Sequence, residues 1–325
     1  MRRHGRLLAA LFVVLGNIAG ASAQSYPSRP ITVVVPFPAG GGSDLIARIV
    51  VERMRTSLGQ PLIVENAAGA SGSIGVGRVA RAVPDGYTLV SGHWGTHVIN
   101  GATLNLPYDL RTAFAPVAWL ASGQQAIVAK KVMPADDLKG FIAWLQTHPD
   151  EALMGTSGVG SVGHVNGIHF QKVTGTRFRF VPYRGIAPTM QDLVAGQIDM
   201  MITSTTDVIP QVRAGTIKAF AVSTDRRVAA LPEIPTVDEA GLPGYHTQMW
   251  HALWAPAGTP MEVIAWLYAA AVEALADPAV RKRLADIDQD IPPRERQTPA
   301  ALGAHHMAEI EKWWPIIKAA EIKPE

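Results

Sequence analysis

Short apolar runs alternate with amphipathic segments along most of this chain. Residues Ile31 to Val35 form an apolar, mostly β-branched run that is typical of a buried strand. Apolar residues then recur at helical spacing from Leu45 to Leu58, and Gly59 follows as a helix stop signal. The same succession of strand and helix patterns returns between Leu153 and Val222. This alternation predicts an α/β fold with parallel sheets and helices on both faces.

The length of the chain, 325 residues, suits about two domains, and no repeat or low-complexity linker separates them. We expect two α/β lobes whose boundary is crossed near Ala121–Gln125 and again near Ala240–Met249. This division assigns residues 24–124 and 247–325 to the first lobe and residues 125–246 to the second.

The N-terminus has the pattern of a secretory signal peptide. Three arginines lie within the first six residues, a mostly apolar stretch covers residues 7–18, and Ala21-Ser22-Ala23 offers a small-x-small cleavage site. The alternative is a membrane anchor, but the apolar stretch is shorter than the roughly 18 residues that a span needs. We therefore expect residues 1–23 to be a signal peptide that is cleaved near Ala23, and the mature protein to be periplasmic.

Composition excludes several kinds of function. The chain has no cysteine, which rules out disulfides, thiolate nucleophiles and cysteine-ligated metals. Its net charge of +2 gives no reason to expect a nucleic-acid partner. The ten histidines include no H-E-x-x-H motif, so we expect no metal site and no cofactor.

Two glycine-rich loops each follow a predicted strand and precede a predicted helix. They are "VVVPFPAGGGSD" at residues 33–44 and "MGTSGVGSVGH" at residues 154–164. Glycine lets backbone N–H groups turn outward, and a helix N-terminus adds unpaired N–H groups and a positive dipole end. Such loops bind anions at the carboxyl ends of strands, although either loop alone can be a tight connection. Two opposed loops would hold a ligand with two negative ends, such as a dicarboxylate or a tricarboxylate.

Known phosphate motifs and a hydrolase motif fit these loops poorly. The first loop has no Gly-Lys-Ser/Thr and lacks the G-x-G-x-x-G spacing. The second loop places Ser157, Ser161 and His164 close together, but it contains no G-x-S-x-G nucleophile elbow. We therefore expect no catalytic residue and no enzyme. A periplasmic hydrolase of small carboxylic substrates stays open as an alternative, because a catalytic triad depends on geometry.

A series of segments over nearly the whole mature chain resembles the solute receptors of tripartite tricarboxylate transporters, the Bug family. No single segment is decisive, but their order and completeness are those of the family. The segments are "YPSRPITVVVPFPAGGGSDLIAR", "NAAGASGSIGVGRVARAVPDGYTLV", "LPYDLRTAFAPVAWLA", "GTSGVGSVGH", "VPYRGIAPTMQDLVAGQID", "LPEIPTVDEAGLPGY" and "APAGTP".

The resemblance implies a two-lobed periplasmic-binding-protein architecture, similar to type II, with a ligand cleft between the lobes. It implies a small organic acid as ligand, held in part through ordered waters. It also implies delivery to the large and small membrane subunits of a tripartite tricarboxylate transporter. The alternative within binding proteins is a receptor that signals to a membrane sensor kinase. We expect the receptor to be a monomer.

The resemblance also assigns ligand-binding residues by position. Many relatives carry an acidic residue where this chain has Thr203, and the absence of that acid favours plain carboxylates over amino acids as ligands. The assigned residues are Phe37, Ala39, Gly40, Ser43, Ser71, Gly72, Ser157, Gly160, Ser161, His164, Tyr183, Thr203, Ser204 and Thr205.

Overall fold

A computed structural model of the protein describes residues 26–224 and 226–319. The predicted signal peptide, residues 1–23, lies outside the described residues. Among the residues described, no single helix is long and apolar enough to cross a membrane. Two consecutive helices, Met261–Ala276 and Pro278–Asp286, reach that length and composition only together, and they are bent by 72° at their junction.

Strands and helices alternate through most of the described chain, as the sequence pattern predicts. The strands are β1 (Ile31–Val35), β2 (Leu62–Asn66), β3 (Thr88–His93), β4 (Phe114–Lys130), β5 (Leu153–Thr156), β6 (Arg179–Pro182), β7 (Met200–Ser204), β8 (Ile217–Val222), β9 (Gln248–Pro256) and β10 (Gln289–Asp290). The helices are α1 (Gly42–Leu58), α2 (Ser73–Ala80), α3 (Asn100–Thr103), α4 (Leu138–Thr147), α5 (Val162–Thr174), α6 (Ile186–Val194), α7 (Thr205–Arg213), α8 (Met261–Ala276), α9 (Pro278–Asp286) and α10 (Pro299–Ala319).

The strands form one continuous sheet in the order β2-β1-β3-β9-β4-β7-β5-β6, and β8 and β10 also pair with β4. β1 pairs in parallel with β2 and β3, and β5 pairs in parallel with β6 and β7. β4 is antiparallel to all its partners, and β9 is antiparallel to β3 as well. The α/β class is confirmed. The expectation of parallel sheets holds for β1, β2 and β3 and for β5, β6 and β7, but β4 and β9 enter the centre of the sheet in the opposite direction and make it mixed.

β4 joins two parts of the sheet. Its residues up to Gln124 pair with β9, and its residues from Gln125 onward pair with β7 and β8. We call the part with β1, β2, β3, β9 and β10 sheet A, and the part with β5, β6, β7 and β8 sheet B. The predicted lobe boundaries at residues 124/125 and 246/247 stay a prediction.

Each part of the sheet has a hydrophobic core on both of its faces. In β1, Val33 packs in the core that contains α1, α8 and α9, whereas its neighbour Val34 packs in the core that contains α2 and α10. In β4, Ile127 packs with α4 and α5, whereas Val128 packs with α6 and α7. Successive strand residues point to opposite faces, so a strand that is buried on both faces appears as a continuous apolar run.

Candidate functional site

The first glycine loop is held in shape by a buried carboxylate on α1. Asp44 Oδ2 accepts hydrogen bonds from Gly40 N and Arg48 Nε, both at 2.9 Å, and its Oδ1 accepts one from Asn66 Nδ2 at 2.9 Å. Burial opposes the charge, but the hydrogen bonds from Arg48, Gly40 and Asn66 outweigh it and lower the pKa of Asp44. The N–H group of Gly40 is therefore used within the loop and does not face a ligand.

The second glycine loop is held by the first residues of α5. The N-cap residue Ser161 accepts a hydrogen bond on Oγ from His164 N at 3.4 Å, and His164 Nδ1 accepts one from Gly160 N at 2.9 Å. Burial lowers the pKa of His164 to about 4, so its ring is neutral at pH 7 and can accept through Nδ1. The next two residues, Val162 and Gly163, have first-turn N–H groups with no partner inside the helix.

Both loops line one cavity of about 50 Å³, which we call the inner cavity. No Lys or Arg side chain lines it within the part of the chain that the structure describes. Seven of the residues assigned from the sequence lie in its wall: Phe37, Ser43, Ser71, Ser157, Ser161, Thr203 and Ser204. The rest of the wall consists of Pro38, Gly41, Gly42, His93, Gly95, Asn100, Gln125, Val162, Gly163, Ile186, Ala187, Asp207, Met249 and His251.

Two further assigned residues, Gly72 and Tyr183, line an outer cavity. It shares four wall residues with the inner one: Phe37, Pro38, Ser71 and Ser157. The outer cavity also contains Arg184. The hydroxyl of Tyr183 donates to Asp192 Oδ2 at 2.6 Å. Tyr183 therefore lines the outer cavity and lies outside the inner wall.

The other assigned residues lie outside both cavities. Ala39 and Gly40 are exposed, and Gly160 and His164 shape the second loop. Thr205 is fully buried, and its hydroxyl is bonded to Gln124 O and to Asp288 Oδ2. Its hydroxyl therefore fastens the start of α7 to the segment before β10.

A pair of histidines in the inner wall was not predicted. His93 and His251 are register partners on β3 and β9, and their rings are 5.5 Å apart. Phe37 stacks on His93 at 4.8 Å. Burial lowers the pKa of His93 to about 4, and its Nδ1 accepts from Gly95 N at 3.0 Å, so Nε2 carries the proton. The position of His93 at the carboxyl end of β3, next to β1, could have identified it.

Two amide side chains in the inner wall keep unpaired polar atoms. Asn100 Nδ2 donates to Ser71 O at 3.0 Å, but Asn100 Oδ1 has no hydrogen-bond partner among the residues described. Gln125 is 1% exposed, and neither Oε1 nor Nε2 has a partner within the described ranges. A buried polar atom without a partner is costly, so a cavity wall with three of them is suited to a polar ligand or to water. The polar pair "QQ" inside the apolar run of β4 was the available sequence signal.

Asp207, in the first turn of α7, was also missed. Its Oδ1 accepts from Gly42 N at 3.0 Å, and its Oδ2 accepts from Thr203 Oγ1 at 3.0 Å. Burial raises the pKa of Asp207, and the hydrogen bonds from Gly42 and Thr203 oppose that rise only in part. An acidic side chain therefore lies next to Thr203, although Thr203 itself is not acidic.

Direct hydrogen bonds join the two sides of the inner cavity. One is the bond between Gly42 on α1 and Asp207 on α7, and another runs from Ser71 Oγ to Val159 O at 2.7 Å. α1 packs on sheet A and α7 packs on sheet B. The wall of the inner cavity thus comes from both parts of the sheet, which contact each other across it.

Two α/β parts, joined by a shared strand and enclosing a small polar cavity between two helix starts, define a solute-binding protein of the periplasmic type. The sequence profile of the tripartite tricarboxylate transporter family receptors matches residues 46–322. The chain belongs to this receptor family.

Individual relatives agree with that assignment. The protein BugT of Bordetella pertussis is 32% identical over 323 residues, which cover 98% of this chain and 98% of BugT. The structure of MatC from Rhodopseudomonas palustris with bound malate has a TM-score of 0.86 and 37% identity, and the match covers 90% of this chain and 100% of MatC. The periplasmic binding protein BugD has a TM-score of 0.87 and 34% identity, with coverage of 92% and 100%. The resemblance to the Bug family that the sequence showed is confirmed.

Proposed function

We propose that this receptor binds a small dicarboxylate or tricarboxylate in the inner cavity and delivers it to the membrane subunits of a tripartite tricarboxylate transporter. The observation that carries the proposal is that both glycine loops, each at the start of a helix, line the same cavity. The family to which the chain belongs supports delivery to a transporter, and the malate bound to MatC supports a carboxylate ligand.

The inner cavity would bind carboxylates through hydrogen bonds alone, because no Lys or Arg side chain lines it among the described residues. The donors are the first-turn N–H groups of Ser43 on α1 and of Val162 and Gly163 on α5, together with the hydroxyls of Ser43, Ser157 and Ser161. The N–H group of Gly42 already donates to Asp207. The positive N-terminal end of each helix dipole favours a negative charge of the solute. Charge-assisted hydrogen bonds of this kind are stronger than neutral ones. Two anionic groups of one solute would then tie α1 to α5 across the cavity.

Closure about a hinge gives such a receptor its affinity. We place the hinge where β4 passes from sheet A to sheet B, at Gln124 and Gln125. The lobes would be residues 24–124 with 247–325, and residues 125–246. A solute that bonds to both lobes favours the closed form by its extra contacts there. We further propose that residues 1–23 are removed on export to the periplasm and that the receptor acts as a monomer.

We propose capture without turnover. The histidine in the first turn of α5, His164, uses Nδ1 to accept from Gly160 N, and its ring lies edge-on against Phe180 at 4.4 Å. Neither the Ser157 nor the Ser161 hydroxyl is hydrogen-bonded to a histidine ring among the described contacts, since His164 reaches Ser161 Oγ only through its backbone N–H. A hydrolase would need such a base within reach of its nucleophile.

Thermal unfolding of the mature protein, from Gln24 onward, tests the proposal against mono-, di- and tricarboxylates, amino acids and aromatic acids. A ligand at 100 times its dissociation constant stabilises the folded protein by about 2.7 kcal/mol, which a melting curve resolves. We expect such a shift with one or more di- or tricarboxylates and full recovery of the solute afterwards. A shift with monocarboxylates alone, or loss of the solute to a product, would contradict the proposal.

A deletion strain separates transport from signalling. We expect loss of uptake of the bound solute, because the receptor delivers it to the transporter. Loss of solute-dependent gene induction with unchanged uptake would favour the alternative, a receptor that signals to a sensor kinase.

A further inference from the structure

The ligand proposed for the inner cavity is an anion, yet the wall of this cavity contains a carboxylate. Among the described residues that line the cavity, Asp207 is the only acidic one, and none is Lys or Arg. A plain dicarboxylate would place its own charge in the same small, cation-free space. Two carboxylates that share such a space repel each other.

The carboxylate of Asp207 has capacity for a further donor. Its oxygens each accept one hydrogen bond, from Gly42 N and from Thr203 Oγ1. An ionised carboxylate has about four acceptor sites, so two of the four are unused by the protein. The remaining sites suit a hydroxyl or an ammonium group of a bound molecule.

A second feature of the wall points to the same kind of ligand. Gln125 is 1% exposed, lies in the same wall, and leaves both its carbonyl oxygen and its amide nitrogen without a partner in the described chain. An acceptor and a donor side by side match a hydroxyl group, which can donate and accept at once. A purely hydrocarbon segment between two carboxylates would offer these atoms no hydrogen-bond partner of its own.

We propose that Asp207 determines the specificity of the receptor: the bound carboxylic acid also carries a hydroxyl or ammonium substituent, which donates a hydrogen bond to the Asp207 carboxylate. This rests on the proposed function and narrows its ligand class. It reverses the expectation, drawn from Thr203 alone, that the site favours plain carboxylates, because the acid missing at that position is supplied by Asp207.

Asp207 has a second possible role, as a closure contact only. Its hydrogen bond to Gly42 N joins α7 to α1, and an acidic residue in the first turn of α7 is favoured by the helix dipole. A residue that only closes the cavity would affect all ligands equally. Discrimination between ligands that differ in one substituent separates the two roles.

The test is isothermal titration calorimetry with succinate, malate and aspartate, which differ only in carrying hydrogen, hydroxyl or ammonium at one carbon. The five-carbon series of glutarate, 2-hydroxyglutarate and glutamate is used if the longer chain binds better. Asp207→Asn keeps the size and an oxygen for Gly42 N–H but removes the charge. Asp192→Asn, which alters a carboxylate bonded to Tyr183 outside the inner wall, is the matched control.

We expect the wild-type protein to bind the hydroxyl or ammonium compound at least about tenfold more tightly than the plain diacid, the usual effect of a charge-assisted hydrogen bond. Asp207→Asn should reduce that ratio of affinities about tenfold, because it raises the affinity for the plain diacid and lowers the affinity for the ammonium compound. Asp192→Asn should leave the ratio unchanged. An equal factor on all three ligands in Asp207→Asn would overturn the inference. Failure of every carboxylate to bind the wild-type protein would instead overturn the proposed function.

Discussion

At the scale of single residues, the contact across the inner cavity depends on the absence of a side chain at position 42. A Cβ added to Gly42 would lie 2.9 Å from Asp207 Oδ1 and 3.3 Å from Thr206 Cγ2. The neighbouring Gly41 has room, since its Cβ would meet only Pro38 O at 3.8 Å. Two adjacent glycines at the start of α1 therefore have different roles.

We predict that Gly42→Ala weakens solute binding about tenfold, because the methyl group separates α1 from α7 and lengthens the hydrogen bond to Asp207. The stability of the protein without ligand should also fall, by about 1 kcal/mol, since the buried Asp207 carboxylate loses part of its hydrogen bonding. Calorimetric titration with the solute identified by thermal unfolding measures the first effect, and urea unfolding measures the second. Gly41→Ala is the control, and equal loss of affinity in both variants would contradict the role of Gly42.

The inner-wall residues that could be predicted from the sequence are those whose position depends only on neighbouring residues in the chain. The hydroxyls of Ser43, Ser157 and Ser161 follow directly from the strand, glycine loop and helix start in which they occur. Gln125 and Asp207 could not be placed in this way, because their surroundings come from distant parts of the chain. The hydrogen bond between Gly42 and Asp207 spans 165 positions of the sequence, and no local pattern encodes it.

At the scale of elements, the second loop functions through the N-terminus of α5. Ser161 is both its N-cap, by accepting from His164 N, and part of the inner wall. Asp137 caps α4 in the same way, by accepting from Gly140 N at 2.7 Å, but it does not line the cavity. The two caps therefore form a matched pair in which only Ser161 lines the inner cavity.

We predict that Ser161→Ala and Asp137→Ala each lower the free energy of unfolding by about 1 kcal/mol, the usual cost of a lost N-cap. Only Ser161→Ala should also weaken solute binding, because it removes a hydroxyl from the cavity wall. Urea unfolding and calorimetric titration of the two variants measure these effects. If Asp137→Ala reduced affinity as much as Ser161→Ala does, the loss would reflect stability and the assignment of Ser161 to the site would fail.

Most elements could be predicted because their patterns are local. The strand Leu153–Thr156 and the helix after it were predicted from an apolar run, a glycine loop and helical spacing. β4 appears in the sequence as two separate runs because "SGQQ" interrupts its apolar residues at the crossing between sheets A and B. β9 was missed, because its segment "QMWHALWAP" has no β-branched residue and lacks the continuous β-branched run that marked β1. Strand direction also depends on distant partners, and so the mixed sheet was not predictable.

At the scale of the whole molecule, buried histidines are concentrated in the core around β3 and β9. His97 stacks on Trp254 at 4.7 Å and is fully buried, and His251 packs against His93. Burial lowers the pKa of His97 and of His251 well below the usual value, and that of His93 to about 4. All three rings are therefore neutral in the folded protein at pH 7.

These histidines predict a loss of stability in mild acid. As pH falls below about 6.5, the histidines of the unfolded chain take up protons while the buried ones do not, so the unfolded state is favoured by up to about 1.4 kcal/mol per pH unit for each histidine. Asp288 acts in the opposite direction, because burial raises its pKa to about 6 and the folded protein binds that proton first. Burial also raises the pKa of Asp207 and of Glu309, which act in the same direction as Asp288. Burial lowers the pKa of His164 and of His305 to about 4, so these two add to the destabilisation by the three histidines.

Histidines outnumber the opposing carboxylates, so we expect the free energy of unfolding to decrease steadily from pH 6.5 to pH 5. Urea unfolding at intervals of half a pH unit measures it, and this range lies above the normal titration of Asp and Glu at about 4. Because a bound solute stabilises only the folded state, it should raise the whole curve while leaving the histidine-dependent slope in place. A stability that stayed flat or increased between pH 6.5 and pH 5 would show that these histidines accept protons without unfolding, and that the core around β3 and β9 is open to water.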